Sequence, residues 1–149
     1  MDMLDMAGHL IRRLHQQSTQ IFAQRIQAAG HDLTPVQFAA LGAIEAHPAT
    51  DQAHVAEFIG YDRATIGGVI DRLEKKGLIK RVVSTTDRRA RELSLTAKGK
   101  RTLAALQPLV QELQKDILSP LNDKDRERFI AFARAVVLQG SAEAAPNSK

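Results

Sequence analysis

Residues 62–95 read DRATIGGVIDRLEKKGLIKRVVSTTDRRARELSL. Ile66, Val69, Ile70 and Leu73 recur at spacings of three and four, the period of one helix face, and Gly77 stops the run. LIKRVVS then reads as a strand, TTDRRA as a turn and RELSL as the returning strand. Just upstream, Asp51 can cap a short helix carrying Val55, Ala56 and Ile59, and Gly60 ends it. One residue later Asp62 is set to cap the next helix, expected over residues 63–76, with Tyr61 and Ile66 at the positions of a hydrophobic staple. Two short helices joined by a tight glycine-containing turn form a helix-turn-helix pattern. A β-hairpin directly after it makes a winged helix.

The flanks are helical. Residues 4–29 read as one long amphipathic helix through Leu10, Ile11, Leu14, Ile21, Phe22 and Ile26, stopped by Gly30. Thr34-Pro35-Val36-Gln37 has the form of a capping box with proline at the first helical position, followed by the stripe Phe38, Leu41 and Ile44. Thr96 can cap a fifth helix with Leu103, Leu106, Leu109, Val110, Leu113 and Ile117 apolar, and Pro108 should kink it or shift its register. Asn122 or Asp123 can cap a last helix whose stripe of Phe129, Ile130, Phe132, Ala133, Val136 and Val137 is wide enough to predict a partner. The fold class expected is therefore mainly α with a small β-hairpin wing. Residues 30–100 would form the winged helix-turn-helix domain, flanked by helices in 1–29 and 101–140 of the same unit, 1–140. SAEAAPNSK, 141–149, reads as a disordered tail.

Composition narrows the function. With no cysteine among 149 residues, a disulfide framework, a thiolate zinc site, a cysteine nucleophile and a thiol sensor are excluded. No apolar run approaches the ~20 residues of a membrane span. The start MDMLDMAGHLIRRL is too acidic and too broken for a signal peptide, so a cytoplasmic protein without membrane contact is expected. His9, His15, His31, His47 and His54 include no pair four apart and no HExxH, so no metal site is predicted, and no motif calls for a cofactor. No nucleophile elbow or P-loop suggests an enzyme. The net charge of +4 is uneven: residues 60–101 hold 12 Lys/Arg against 5 Asp/Glu, and the remainder 9 against 12. A basic segment in an otherwise acidic chain is the electrostatic footprint of a nucleic-acid binder.

On a helical wheel of 63–76, Ala64, Gly68, Asp71 and Lys75 point away from the apolar side, flanked by Thr65 and Arg72 on one edge and Arg63 and Gly67 on the other. Such a face can enter a major groove, with Arg63 and Arg72 reaching phosphates or guanine edges and Thr65 a phosphate or thymine. Adjacent glycines cost about 1 kcal/mol each in a helix interior. Close approach to DNA accounts for Gly68, and close helix packing for Gly67. Asp71 would repel phosphate unless it orients Arg72 or Lys75, or accepts from a cytosine amine. In the wing, Arg88 and Arg89 are candidates for the narrow, strongly negative minor groove, with Asp87 bracing a guanidinium. Arg81 and Arg91, on the strands, are assigned to phosphates or to a pair with Asp87.

The run DRLEKKGLI, then DRRA, then LSLTAKG, resembles the signature region of the MarR family of transcriptional regulators in order and spacing. With the flanking helices the resemblance covers roughly residues 4–139. It implies a homodimer of winged helices that binds pseudo-palindromic double-stranded DNA, usually as a repressor released by small anionic aromatic ligands. Arg63, Thr65, Gly68 and Arg72 would then lie in or near the major groove, Arg89 would enter the minor groove with Arg88 nearby, and Asp87 would brace the wing. Leu4, Leu10, Ile117, Leu121, Phe129, Phe132 and Val136 become candidates for the dimer helices. His9, Arg12, Arg13 and His15 could neutralise an effector carboxylate, with Phe38 as an apolar wall. The alternative is a winged helix that binds DNA constitutively, or a protein-interaction module, with no small-molecule effector.

Overall fold

In the computed structural model, which describes residues 1–84, 86 and 91–144, with side chains as far as Gly140, the chain divides into two units, Met1–Leu113 and Gln114 onward. The first begins with a 3₁₀ turn, Met3–Asp5, in which Asp2 accepts from the Leu4 amide at 2.9 Å. Met6 is extended, and α1 runs Ala7–Ala28. The single helix expected over 4–29 is thus broken at Met6. Asp2 competes for the amide of Leu4, and that local bond favours a turn. At the other end Gly30 takes φ +81°, and His31 N donates to Ile26 O at 3.0 Å to close the helix.

α2 (Pro35–Ala46) starts with both bonds of the capping box: Gln37 N donates to Thr34 Oγ1 at 3.1 Å, and Thr34 N to Gln37 Oε1 at 3.2 Å. α3 (Gln52–Ile59) is capped by Asp51, which accepts from His54 N at 2.9 Å, and is closed by Gly60 at φ +66°. α4 spans Ile66–Lys75. β1 (Ile79–Val83) and β2 (Arg91–Leu95) pair antiparallel, Ile79 opposite Leu95 and Val83 opposite Arg91. Leu93 N also donates to Thr50 O at 2.7 Å, which ties the hairpin to the segment before α3. Thr96 caps α5 (Ala97–Ile117) by accepting from Gly99 N at 3.0 Å, and α5 runs unbroken through Pro108.

The core of this unit joins its α-helices and the hairpin. Phe22 and Ile26 of α1, Leu41 and Ile44 of α2, Val55 of α3, Ile70 and Leu73 of α4, Ile79 and Leu93 of the hairpin, and Leu103 and Leu106 of α5 are all buried. With so few aromatics, each such aliphatic side chain carries roughly 1.5–3 kcal/mol of burial. α4 packs against α2, α3 and β1, so the core holds its orientation from three sides.

In the second unit Asn122 caps α6 (Asp123–Ala144), accepting from Asp125 N at 2.9 Å. Asp123 and Asp125 in its first turn suit the positive end of the helix dipole. α6 continues to Ala144, four residues into the stretch 141–149 that composition assigned to a disordered tail. Ser, Ala, Glu and Ala are all compatible with helix, and the proline at 146 comes only after them. Residues 145–149 lie outside the described residues. Phe129, Ile130, Phe132, Val136, Val137 and Leu138 of α6 are exposed, Phe132 at 71%.

Candidate nucleic-acid interface

The apolar side of α4 is as the wheel predicts: Ile66, Val69, Ile70 and Leu73 are buried, and Gly68, Asp71, Arg72, Glu74 and Lys75 are exposed. Its start is not. Asp62 Oδ1 accepts from Ala64 N at 3.2 Å, and Asp62 O accepts from Thr65 N at 3.2 Å and Ile66 N at 3.0 Å. The carboxylate thus takes the amide two residues on rather than three, and meets Thr65 only through its hydroxyl, Oγ1 to Oδ2 3.4 Å; residues 63–65 form a hydrogen-bonded turn, and α4 begins at Ile66. Arg63 and Thr65 stand in that exposed turn, not in the first helical turn.

The adjacent glycines do different things. A Cβ on Gly67 would stand 3.2 Å from Gln52 Nε2, so this glycine admits close packing of α3. Among the described residues, a Cβ on Gly68 would meet only the Arg72 guanidinium, at 3.5 Å. Nothing in the packing of the described residues calls for glycine at 68.

Arg81 meets α4, a partner the sequence did not single out for it. Its Nη2 donates to Asp71 Oδ1 at 2.6 Å and its Nη1 to Glu74 Oε1 at 3.1 Å. The hydrogen bond it donates to Asp71, opposed by burial and reinforced by Glu74, raises the guanidinium pKa above its ordinary value. The reason is register. Residues 79, 81 and 83 share one face of β1, Ile79 on that face is buried, and β1 packs on α4. Arg81 therefore faces the helix. Asp87, Arg88 and Arg89 lie outside the described residues. Arg91 is exposed at the last pair of the ladder.

Sequence reasoning did not single out the far side of the turn before α4. Ala53, His54, Glu57, Tyr61 and Arg63 line a depression of about 500 Å³ there. His54 is held by Asp51, Nδ1 to Oδ1 2.8 Å. The backbone amide of His54, partly offset by burial and aided by its ring, lowers the Asp51 carboxyl below its ordinary value. His47 stacks on Phe58 with centroids 3.8 Å apart. The Pro48–Ala49 turn separates His47 from Phe58, so no helical period relates that stacked pair.

On α1, His9 is half-buried and Arg12, Arg13 and His15 are exposed. Phe38 is half-buried, its ring tilted at 60° to Phe22 with centroids 6.1 Å apart. At 1.5 Å per residue, Phe22 is roughly 14 Å along α1 from Arg13, so within one chain the aromatic wall and the basic residues meet different stretches of the helix. Leu4, Leu10, Phe129, Phe132 and Val136 are exposed, and Ile117 and Leu121 half-buried. Among the described residues no group of three His, Cys, Asp or Glu could hold a metal, and no helix is long and apolar enough to cross a membrane.

Residues 31–90 match the sequence model of the MarR family. The transcriptional repressor NicR of Pseudomonas putida is 31% identical over 136 residues, spanning 91% of this chain and 85% of NicR. The structure of BpsR from Bordetella bronchiseptica, whose DNA binding is regulated by 6-hydroxynicotinic acid, matches with a TM-score of 0.80 at 29% identity, over 89% of this chain and 93% of that one. The transcriptional repressor CouR, bound to a 23-mer DNA duplex, matches with a TM-score of 0.77 at 30% identity, over 90% and 93% of the two chains. These likenesses run through the flanking helices as well as the winged helix. The six helices and the hairpin thus make up a winged helix-turn-helix protein, and the chain belongs to the MarR family of transcriptional regulators.

Proposed function

We propose that this protein is a ligand-responsive transcriptional repressor, not an enzyme, that binds a pseudo-palindromic DNA duplex as a homodimer and is released by a small aromatic carboxylate or phenol. The observation that carries the reading is the outer side of α4, where exposed Gly68 leaves room for a groove wall and Arg72 stands over it. Arg72, with Arg63 and Thr65 in the preceding turn, supplies major-groove and phosphate contacts. Arg89, with Arg88 beside it and Asp87 bracing the wing, supplies the minor-groove contact. Leu4, Leu10, Ile117, Leu121, Phe129, Phe132 and Val136 meet a second copy. His9, Arg12, Arg13, His15 and Phe38 bind the effector, the basic residues taking its carboxylate. BpsR, regulated by 6-hydroxynicotinic acid, supports an effector that is both aromatic and acidic.

The test begins by selecting bound sequences from a random duplex pool with the purified protein. The selected sites should be palindromic, with half-site centres about one helical turn, ~34–36 Å, apart. Arg72→Ala and Arg89→Ala should each weaken binding by at least ~1 kcal/mol without dissociating the dimer. A panel of hydroxybenzoates and hydroxynicotinates should include a compound that raises the melting temperature and releases the duplex. Binding that no acid or phenol alters would favour a constitutive DNA-binding protein. A footprint over a single half-site would contradict the dimeric reading.

A further inference from the structure

The outer side of α4 contains a contradiction that Arg81 resolves. Asp71 and Glu74, three residues apart and so neighbours on the helix surface, are 58% and 43% exposed on the helix assigned to DNA. Two carboxylates there would cancel Arg72 and Lys75 and repel phosphate. Arg81 reaches both from the wing, one guanidinium nitrogen to each acid, and its side chain is only 27% exposed. A planar fork can satisfy two separate acceptors at once, which a lysine ammonium does with less geometric constraint. The same bonds tie β1 to α4, joining the hairpin to the helix at a polar contact beyond the apolar core.

We infer that Arg81 is a positioning residue of the DNA interface: it neutralises Asp71 and Glu74 where the wing meets the recognition helix, so that both present one cationic surface to the duplex. The inference rests on the DNA-binding reading above. It gives Asp71 a role inside the protein rather than at a base edge. It also removes Arg81 from the set of phosphate contacts.

The experiment uses the full chain and a duplex selected from a random pool by the unmodified protein, with affinity measured by fluorescence anisotropy across a salt series. Arg81→Ala should weaken binding about tenfold or more, as exposed carboxylates meet phosphate. Adding Asp71→Asn and Glu74→Gln to that variant should restore affinity to within about threefold, a recovery that loss of packing would not produce. Asp71→Asn with Glu74→Gln in the presence of Arg81 should bind as tightly as the unmodified protein or more tightly, with a steeper salt dependence.

If the triple variant stays as weak as Arg81→Ala and its salt slope is shallower by about one, Arg81 itself touches a phosphate and the inference is wrong. If the Asp71→Asn, Glu74→Gln protein binds more weakly and with altered sequence preference, Asp71 reads a base and the inference is again wrong. Should Arg81→Ala fail to fold, that double variant, which keeps Arg81, decides alone. A protein that selects no sequence and binds no duplex would instead overturn the DNA-binding reading, and this inference with it.

Discussion

Gly99 lies directly against the carbonyl of Leu78: a Cβ at residue 99 would stand 2.0 Å from Leu78 O. Leu78 O also accepts from Thr96 N at 3.1 Å, and Thr96 Oγ1 donates to Gly77 O at 2.6 Å. The first turn of α5 is thus bonded to the residues that leave α4. Because the obstacle is backbone held by its own hydrogen bonds, it cannot swing aside. Gly99→Ala should destabilise the protein by about 3 kcal/mol or more, the upper range for overpacking a core. Urea unfolding followed by circular dichroism would measure it, and a loss under about 1 kcal/mol would show that α5 can shift.

Gly68 should behave in the opposite way. Its added Cβ meets only the flexible end of Arg72, so Gly68→Ala should stabilise the protein by up to about 1 kcal/mol through helix propensity. The same methyl group projects from the face assigned to the major groove and should weaken duplex binding by about tenfold, on the scale of a lost base contact. Thermal melts and anisotropy on one preparation test both. A stabilised variant with unchanged DNA affinity would remove Gly68 from the interface.

Asp51 carries a pH dependence. Its carboxylate caps α3 and its pKa is held below the ordinary value, so the cap contributes stability above the unfolded-state pKa and loses it as pH falls through the folded one. Asp51→Ala should cost about 1 kcal/mol at neutral pH. Unfolding curves of the two proteins should converge in acid, below the ordinary aspartate range. A gap that persists undiminished at the acid end would mean that the carboxylate charge is not its source.

The apolar face of α6 tests the assembly. Phe132 is 71% exposed and Val136 69%, and burying a side chain of this kind is worth roughly 1.5–3 kcal/mol. Phe132→Glu should therefore raise the dimer dissociation constant by about 100-fold or more, adding an unpaired charge to the lost burial. Light scattering over a dilution series reads this directly. Equal masses for both proteins at every concentration would place the interface elsewhere.

Most of the fold was legible because its signals are local. The Thr34–Gln37 box, the Asp51 cap, the stops at Gly30, Gly60 and Gly77, and the two strand segments each depend on residues within a few positions of one another. What was misread depends on competition or distance. Asp62 looks like the cap of a helix starting at 63, yet its carboxylate bonds the Ala64 amide and the helix starts at Ile66. Local spacing cannot rank two such bonds. Arg81 meets partners seven and ten residues away, and only the packing of β1 on α4 determines which way it turns. The extension of α6 to Ala144 went unread because composition alone described that stretch. In the candidate site, the α4 face was visible from its period, whereas the depression at His54 and Tyr61 depends on the turn after α3, which sets Tyr61 and Arg63 beside His54 and Glu57.

That depression gives the protein a built-in optical probe. The chain has one tyrosine and no tryptophan, and the tyrosine is Tyr61, 37% exposed beside Arg63. All tyrosine emission therefore originates at the foot of the helix assigned to DNA. A change in that emission on adding duplex can be assigned to one residue with no label attached, and an effector that acts on α1 alone would leave it still.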